Sequence, residues 1–173
     1  MRRKIILFII ITVCFLLQTT VFRALAFSNI GPNLLIIVVS AFGFMRGKKE
    51  GLWIGFFCGL LVDIFFGFYL GAYALLYMYI GYFNGMFQKK FYPDDIKLPM
   101  ILIGSSDIIC NLIIYFIMFF LRNRMKFWYY LSAVIIPEFV YTMVITIFLY
   151  FILLKINQSL EEHEKRRAIK FEL

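Results

Sequence analysis

Three acidic residues lie inside long apolar runs of this 173-residue chain: Asp63, Asp107 and Glu138. Placing an aspartate at the centre of a membrane helix costs about 2.5 to 3.5 kcal/mol on insertion scales, so each acid needs a compensating reason. Asp107 is followed four residues on by Asn111, and Glu138 by Thr142 and then Thr146. On a helix that spacing makes each acid the head of a polar stripe, and such stripes turn to other helices or to water rather than to lipid. No lysine, arginine or histidine occupies the central part of any apolar run. The acids must then be protonated, hydrogen-bonded to neighbours, wetted by a cavity, or paired with another chain. Three roles follow: a hydrogen-bonded acid that holds the bundle together, a ligand or proton path, and a partner contact. Pro137 precedes Glu138. It removes a helix hydrogen bond, which predicts either a kink or the start of regular helix, with carbonyls left open nearby.

Paired carboxylates can perform acid–base hydrolysis, but here no nucleophile, metal cluster or phosphate loop accompanies them. Cys14, Cys58 and Cys110 all sit in apolar runs without CxxC spacing and read as small buried hydrophobes. His163, the single histidine, belongs to a charged tail. The expectation is a protein that is not an enzyme and carries no cofactor and no metal.

A second pattern concerns packing. Gly43, Gly47, Gly51, Gly55 and Gly59, then Gly67 and Gly71, recur in steps of four, and Asp63 takes the position that interrupts the series. Four-residue steps stay on one helix face, drifting by about 40° per step. Glycine on that face lets a second backbone approach closely. Gly81 and Gly85 are placed to supply the facing helix. The face made by Gly51, Gly55, Gly59, Asp63 and Gly67 is therefore a packing surface, either within the chain or for a helix of a partner.

The elements that carry these residues are helices in lipid. Hydrophobic residues make up 63% of the chain and charged residues 16%, against about 45–50% and 25% in soluble domains. A soluble chain of this length could not hide so much apolar surface in one core. The pattern predicts an all-α polytopic membrane protein with about six transmembrane helices, five being the alternative count. The approximate spans are 5–25, 31–45, 51–67, 70–87, 98–121 and 129–154, which together form one membrane domain over 1–156. The stretch 31–45 is short for a span, and 51–87 admits a re-entrant hairpin instead of two compact crossings. The first run follows Arg2, Arg3 and Lys4 like a signal peptide but lacks a clean cleavage site, and it reads as a retained helix. With Gly51 as its helix start, Asp63 lies about 18 Å along, in the outer half of the membrane. Asp107 and Glu138 fall nearer the midplane.

Six spans place every lysine and arginine on one side except Arg23, Arg122, Arg124 and Lys126. The positive-inside rule then puts both termini in the cytoplasm of a multi-pass protein in the bacterial cytoplasmic membrane. The exceptional basic loop, Arg122 to Lys126, stands beside Trp128, Tyr129 and Tyr130. It anchors to headgroups or meets an acidic partner surface. The net charge of +8 sits in short clusters between apolar runs, which points to anionic membrane lipids and to no nucleic acid. Residues 157–173 form a charged cytoplasmic tail whose acids and bases pair at helical spacing.

The order of several short motifs resembles the MreD family. Gln18-Thr19-Thr20 ends the first helix and Pro32-Asn33-Leu34-Leu35 opens the second. Arg46-Gly47-Lys48-Lys49-Glu50-Gly51 follows, then Gly55, Gly59-Leu60-Leu61-Val62-Asp63, Gly67 and Leu70-Gly71. From Pro93 onward the likeness is mainly one of hydropathy. The resemblance implies a non-enzymatic part of the bacterial cell-elongation machinery that binds MreC. Through MreC it would meet MreB, RodA and the partner transpeptidase of RodA, helping to organise sidewall peptidoglycan synthesis and rod shape. It also implies a fold similar to the substrate-binding subunits of energy-coupling-factor transporters. That likeness supplies the alternative function, a membrane-embedded subunit of a transporter that binds a small molecule or lipid. The first helix lacks the Ala-x-x-x-Ala docking motif common in those subunits.

Overall fold

A computed structural model describes residues 2–24, 30–66, 70–90, 92, 96–117 and 127–171, the side chains of residue 2 and of 163–171 excepted. The described residues are helical almost throughout. The elements are α1 (Arg2–Thr19), α2 (Val21–Ala24), α3 (Leu34–Arg46), α4 (Lys48–Phe66), α5 (Ala72–Met86), α6 (Lys97–Tyr115), α7 (Phe127–Tyr130) and α8 (Ile136–Phe171). A π-helical stretch, Leu131–Ile135, joins α7 to α8. The six helices longer than ten residues occupy the six predicted stretches. The last one does not end near 154 but runs on to Phe171, so the described part of the charged tail continues the helix.

Three described stretches are long and apolar enough to cross a membrane: Arg3–Ala24, Lys97–Tyr115 and Phe127–Glu162. Their outer faces carry large exposed hydrophobics, among them Phe8, Ile101 and Phe148, as lipid-facing helices require. Of the remaining helices, α4 and α5 bury one face and expose the other, with Trp53, Phe57, Tyr79 and Phe83 outward, and α3 alone lies wholly inside. α3 is apolar all round, and every residue from Leu34 to Met45 is buried. Such a helix belongs at the centre of a bundle. It is enclosed by α1, α4, α5, α6 and α8. Its 13 residues extend about 20 Å, less than the roughly 30 Å of a hydrocarbon core. Being wrapped by protein, it meets no lipid along its length.

Gly47 is the only residue between α3 and α4. Its φ of +96° is a conformation that glycine adopts without a steric penalty, and its N–H donates to Gly43 O at 2.8 Å. The chain therefore reverses in one residue. Pro137 stands at the second position of α8, directly after the π-helical stretch. A proline has no N–H for a carbonyl of the preceding turn, and regular α-helix begins only there.

Candidate functional site

The glycine face is covered within the chain. An added Cβ on Gly55 would lie 2.1 Å from the Tyr77 carbonyl oxygen, and one on Gly59 would lie 2.3 Å from that of Tyr73. Gly51 and Gly81 face each other, each Cβ position lying 2.3 Å or less from the other's carbonyl oxygen. Gly85 meets the backbone of Gly47 and Lys48, and Gly43 meets Gly81. α4 and α5 thus touch backbone to backbone along their whole shared length, the arrangement that small residues permit. At Gly51, Gly55 and Gly59 this face is occupied by α5. Gly67 lies outside the described residues.

Asp63 has a distinct task at the end of this seam. Its carboxylate accepts hydrogen bonds from the N–H groups of Gly71 at 3.0 Å, Tyr73 at 3.0 Å and Ala74 at 2.8 Å. These are the first N–H groups of α5, which have no partner within their own helix. The acid also faces the positive end of the helix dipole. Its side chain is 2% exposed. An acid from one helix therefore caps the next, and that is its compensation for leaving water.

The Pro-Asn motif forms a hub. Asn33 is the N-cap of α3, and its Oδ1 accepts from Ile36 N at 3.2 Å, as a capping side chain does. The same oxygen accepts from the Tyr77 hydroxyl of α5 at 3.0 Å. The backbone N–H of Asn33 donates to Thr142 Oγ1 of α8 at 3.1 Å. Beside it, Gln18 Oε1 of α1 accepts from Leu35 N at 3.2 Å. One turn of chain thus ties together α1, α3, α5 and α8. Asn33→Ala is expected to cost about 2 kcal/mol, from a lost cap and a buried tyrosine hydroxyl left without its acceptor. Thermal unfolding of the purified variant in detergent checks this, and a midpoint equal to wild type would refute the hub.

Asp107, Asn111, Glu138 and Thr142, predicted to face other helices, come together between α6 and α8. Asp107 is fully buried, and the polar group beside its carboxyl is the Thr142 hydroxyl. One turn further along α6 and one turn back along α8, the Asn111 amide stands beside the Glu138 carboxyl. The Asp107 carboxyl lies within electrostatic reach of that of Glu138. Antiparallel helices generate this ladder from the i+4 spacing on each. Neither Asp107 oxygen makes a hydrogen bond of ordinary geometry, and neither does Asn111 Nδ2. Thr146, the next residue of the stripe, is also fully buried and turns its hydroxyl onto Thr142 O at 2.6 Å. Nearby, Asn84 of α5 donates to Ser106 Oγ of α6 at 2.8 Å.

Some contacts had no distinctive sequence signal. At the opposite end from Asp63, Arg3 of α1 pairs with Glu50 of α4. Arg46 Nε donates to Asn157 Oδ1, and Asn157 Nδ2 donates to Glu161 Oε1 at 3.0 Å, joining α3 to α8. Arg46 and Asn157 are 111 residues apart, so nothing local announces them. The basic loop Arg122, Arg124 and Lys126 lies outside the described residues. Cys14, Cys58 and Cys110 are buried and free. Among the described residues no group of three or more His, Cys, Asp or Glu gathers that could hold a metal ion.

What the seam, the cap and the hub do is hold α4 to α5 and tie α3 to α1, α5 and α8. The residues involved include Gln18, Asn33, Gly47, Glu50, Gly51, Gly55, Gly59 and Asp63, the positions whose order carries the resemblance. Comparison with curated proteins and with solved structures gives no match. The sequence model of the family described as rod shape-determining protein MreD matches residues 1–160, all but the last 13 residues. This membrane-embedded helical chain therefore belongs to the MreD family of rod shape-determining proteins.

Proposed function

We propose that the chain is a non-enzymatic membrane scaffold of the bacterial cell-elongation machinery, binding MreC and thereby helping to organise sidewall peptidoglycan synthesis. The observation that carries this reading is the family match over residues 1–160. MreB, RodA and the partner transpeptidase of RodA belong to the wider complex in this reading. We further place the chain in the cytoplasmic membrane with six crossings and both termini inside. That orientation is supported by the common end at which Arg3, Glu50, Arg46 and Asn157 meet.

With α5 seated on the glycine face, a helix of MreC docks on the outer surface of the bundle. The test is complementation. In rod-shaped cells depleted of their own MreD family protein, the chain is expected to restore rods, and a tag on it is expected to retain MreC through mild detergent extraction. Round cells containing membrane-inserted chain, with no MreC on the tag, would sink the reading.

A second reading is supported by the pairing of buried Asp107 with half-buried Glu138. In it the chain is a transporter subunit that binds a small molecule or lipid, with a fold like that of energy-coupling-factor substrate-binding subunits. Native mass spectrometry separates the two. A stoichiometric organic ligand on the purified chain favours this second reading, and a chain that is empty of ligand but stabilised by MreC favours the first.

A further inference from the structure

We propose that Asp107, Glu138, Thr142 and Asn111 form an intramembrane site for a small monovalent cation, bound between α6 and α8. Four observations lead there. Asp107 is fully buried, and both of its carboxyl oxygens lack a hydrogen-bond donor of ordinary geometry. Buried acceptors of this kind call for a partner not drawn from the surrounding protein. Secondly, the groups beside the two carboxyls are Thr142 at Asp107, and Asp107 and Asn111 at Glu138, with no lysine, arginine or histidine among them. Two carboxylates in a low-dielectric site without a basic side chain make a strongly cation-attracting region.

Thirdly, the donors are all of one chemical kind. Carboxylate and hydroxyl oxygens are hard ligands and suit hard cations rather than transition metals, while the Asn111 amide positions the Glu138 carboxyl. The Thr142 oxygen is already held in place by the Asn33 N–H at 3.1 Å. The site is thereby fixed to the hub at the centre of the bundle. Fourthly, the backbone is irregular where the site opens. Glu138 follows Pro137 and the π-helical stretch Leu131–Ile135. π-helical segments cluster at functional sites, and interrupted helices supply carbonyl oxygens to ions inside membrane proteins.

Size and charge select the ion. Calcium takes six to eight oxygens, and magnesium keeps several of its waters. The helices are close here: a Cβ on Gly104 of α6 would lie 3.1 Å from both Met143 and Phe139 of α8. A pair of carboxylates with two neutral side chains in so close a setting fits a small ion of single charge, for which sodium is the probe. Glu138 is the more exposed of the two acids and marks the entry side. Asp107, about 15 Å along α6 from Lys97, is the inner ligand.

The test uses the full chain purified in detergent at mildly alkaline pH. Thermal unfolding is followed in chloride salts of sodium, potassium and N-methylglucamine at equal ionic strength, alongside equilibrium binding of radioactive sodium. Bound cation stabilises the folded chain by mass action. The expected result is a midpoint several degrees higher in sodium, saturating with concentration, and one sodium bound per chain. Asp107→Asn and Glu138→Gln should each abolish the sodium dependence. Thr142→Val should weaken it, and wild-type binding stands as a readout should a variant fail to fold. Equal midpoints in all three salts with no sodium bound would overturn the proposal. So would a stabilisation produced by acidification alone, which assigns the carboxyls a proton instead. Sodium dependence that survives in both Asp107→Asn and Glu138→Gln would overturn it as well, by placing the ion elsewhere.

Discussion

Asp63→Ala is expected to lower the stability of the folded chain by about 3 to 5 kcal/mol, a sum of lost charged hydrogen bonds and newly unpaired N–H groups. Three backbone donors at the start of α5 converge on this one carboxylate at 2.8 to 3.0 Å. The site is 2% exposed at Asp63. Each bond to an ionised acceptor contributes about 1.5 to 3 kcal/mol, although shared acceptors do not add fully. The interaction with the helix dipole is lost at the same time. Against a typical total of about 5 to 15 kcal/mol, this is enough to empty the folded state in a marginal protein. Asp63→Asn keeps one carbonyl oxygen as acceptor and should fall between the two. Thermal unfolding in detergent, together with the fraction of extracted protein that runs as a sharp size-exclusion peak, gives the order wild type, Asn, Ala. An Ala variant as stable as wild type would remove the capping account.

The second large effect belongs to Gly55. Glycine to alanine inside a helix normally gains about 0.5 to 1 kcal/mol through backbone entropy. At Gly55 the sign should reverse. The new Cβ would lie 2.1 Å from the Tyr77 carbonyl oxygen, 2.6 Å from its carbon and 2.9 Å from Met78 N. All three are backbone atoms, so no rotamer change relieves the contact. The helices must separate, and separation also opens the contacts at Gly51 and Gly59. The upper end of the overpacking range, about 3 kcal/mol or more, is expected. Gly71→Ala is the informative control. Nothing lies within 4 Å of its Cβ position, but its φ is +101°, so its cost is the strain of the left-handed region, about 1 kcal/mol. If both variants unfolded at the same temperature, close packing would not be what the glycine run provides.

The sequence made the helices legible because lipid demands long apolar stretches, and the six stretches needed no tertiary knowledge. The glycine face and the stripes headed by Asp107 and Glu138 were legible for the same reason: helical spacing fixes which residues share a face. Their partners were not. The role of Asp63 stays open in the sequence between a hydrogen-bonded acid, a ligand or proton path and a partner contact, because a cap is ordinarily sought within a few residues, whereas this one reaches forward 8 to 11 positions into another helix. Asn33 was readable as the opener of a helix, but its ties to Tyr77 and Thr142 span 44 and 109 residues. The stretch at 31–45 seemed short for a span. Its shortness is explained by its surroundings, since a helix enclosed by other helices need not match the bilayer.

That enclosure constrains how the protein is made. α3 is second among the long helices to leave the ribosome, yet four of its neighbours, α4, α5, α6 and α8, are synthesised after it. A segment of about 20 Å is a poor solitary passenger for a membrane insertase. It enters most readily as one arm of a hairpin with α4, joined through Gly47. The enclosure then closes only when α8 has been delivered, more than a hundred residues later. Until that moment the helix that will become the least accessible part of the protein lacks the cover that α8 supplies.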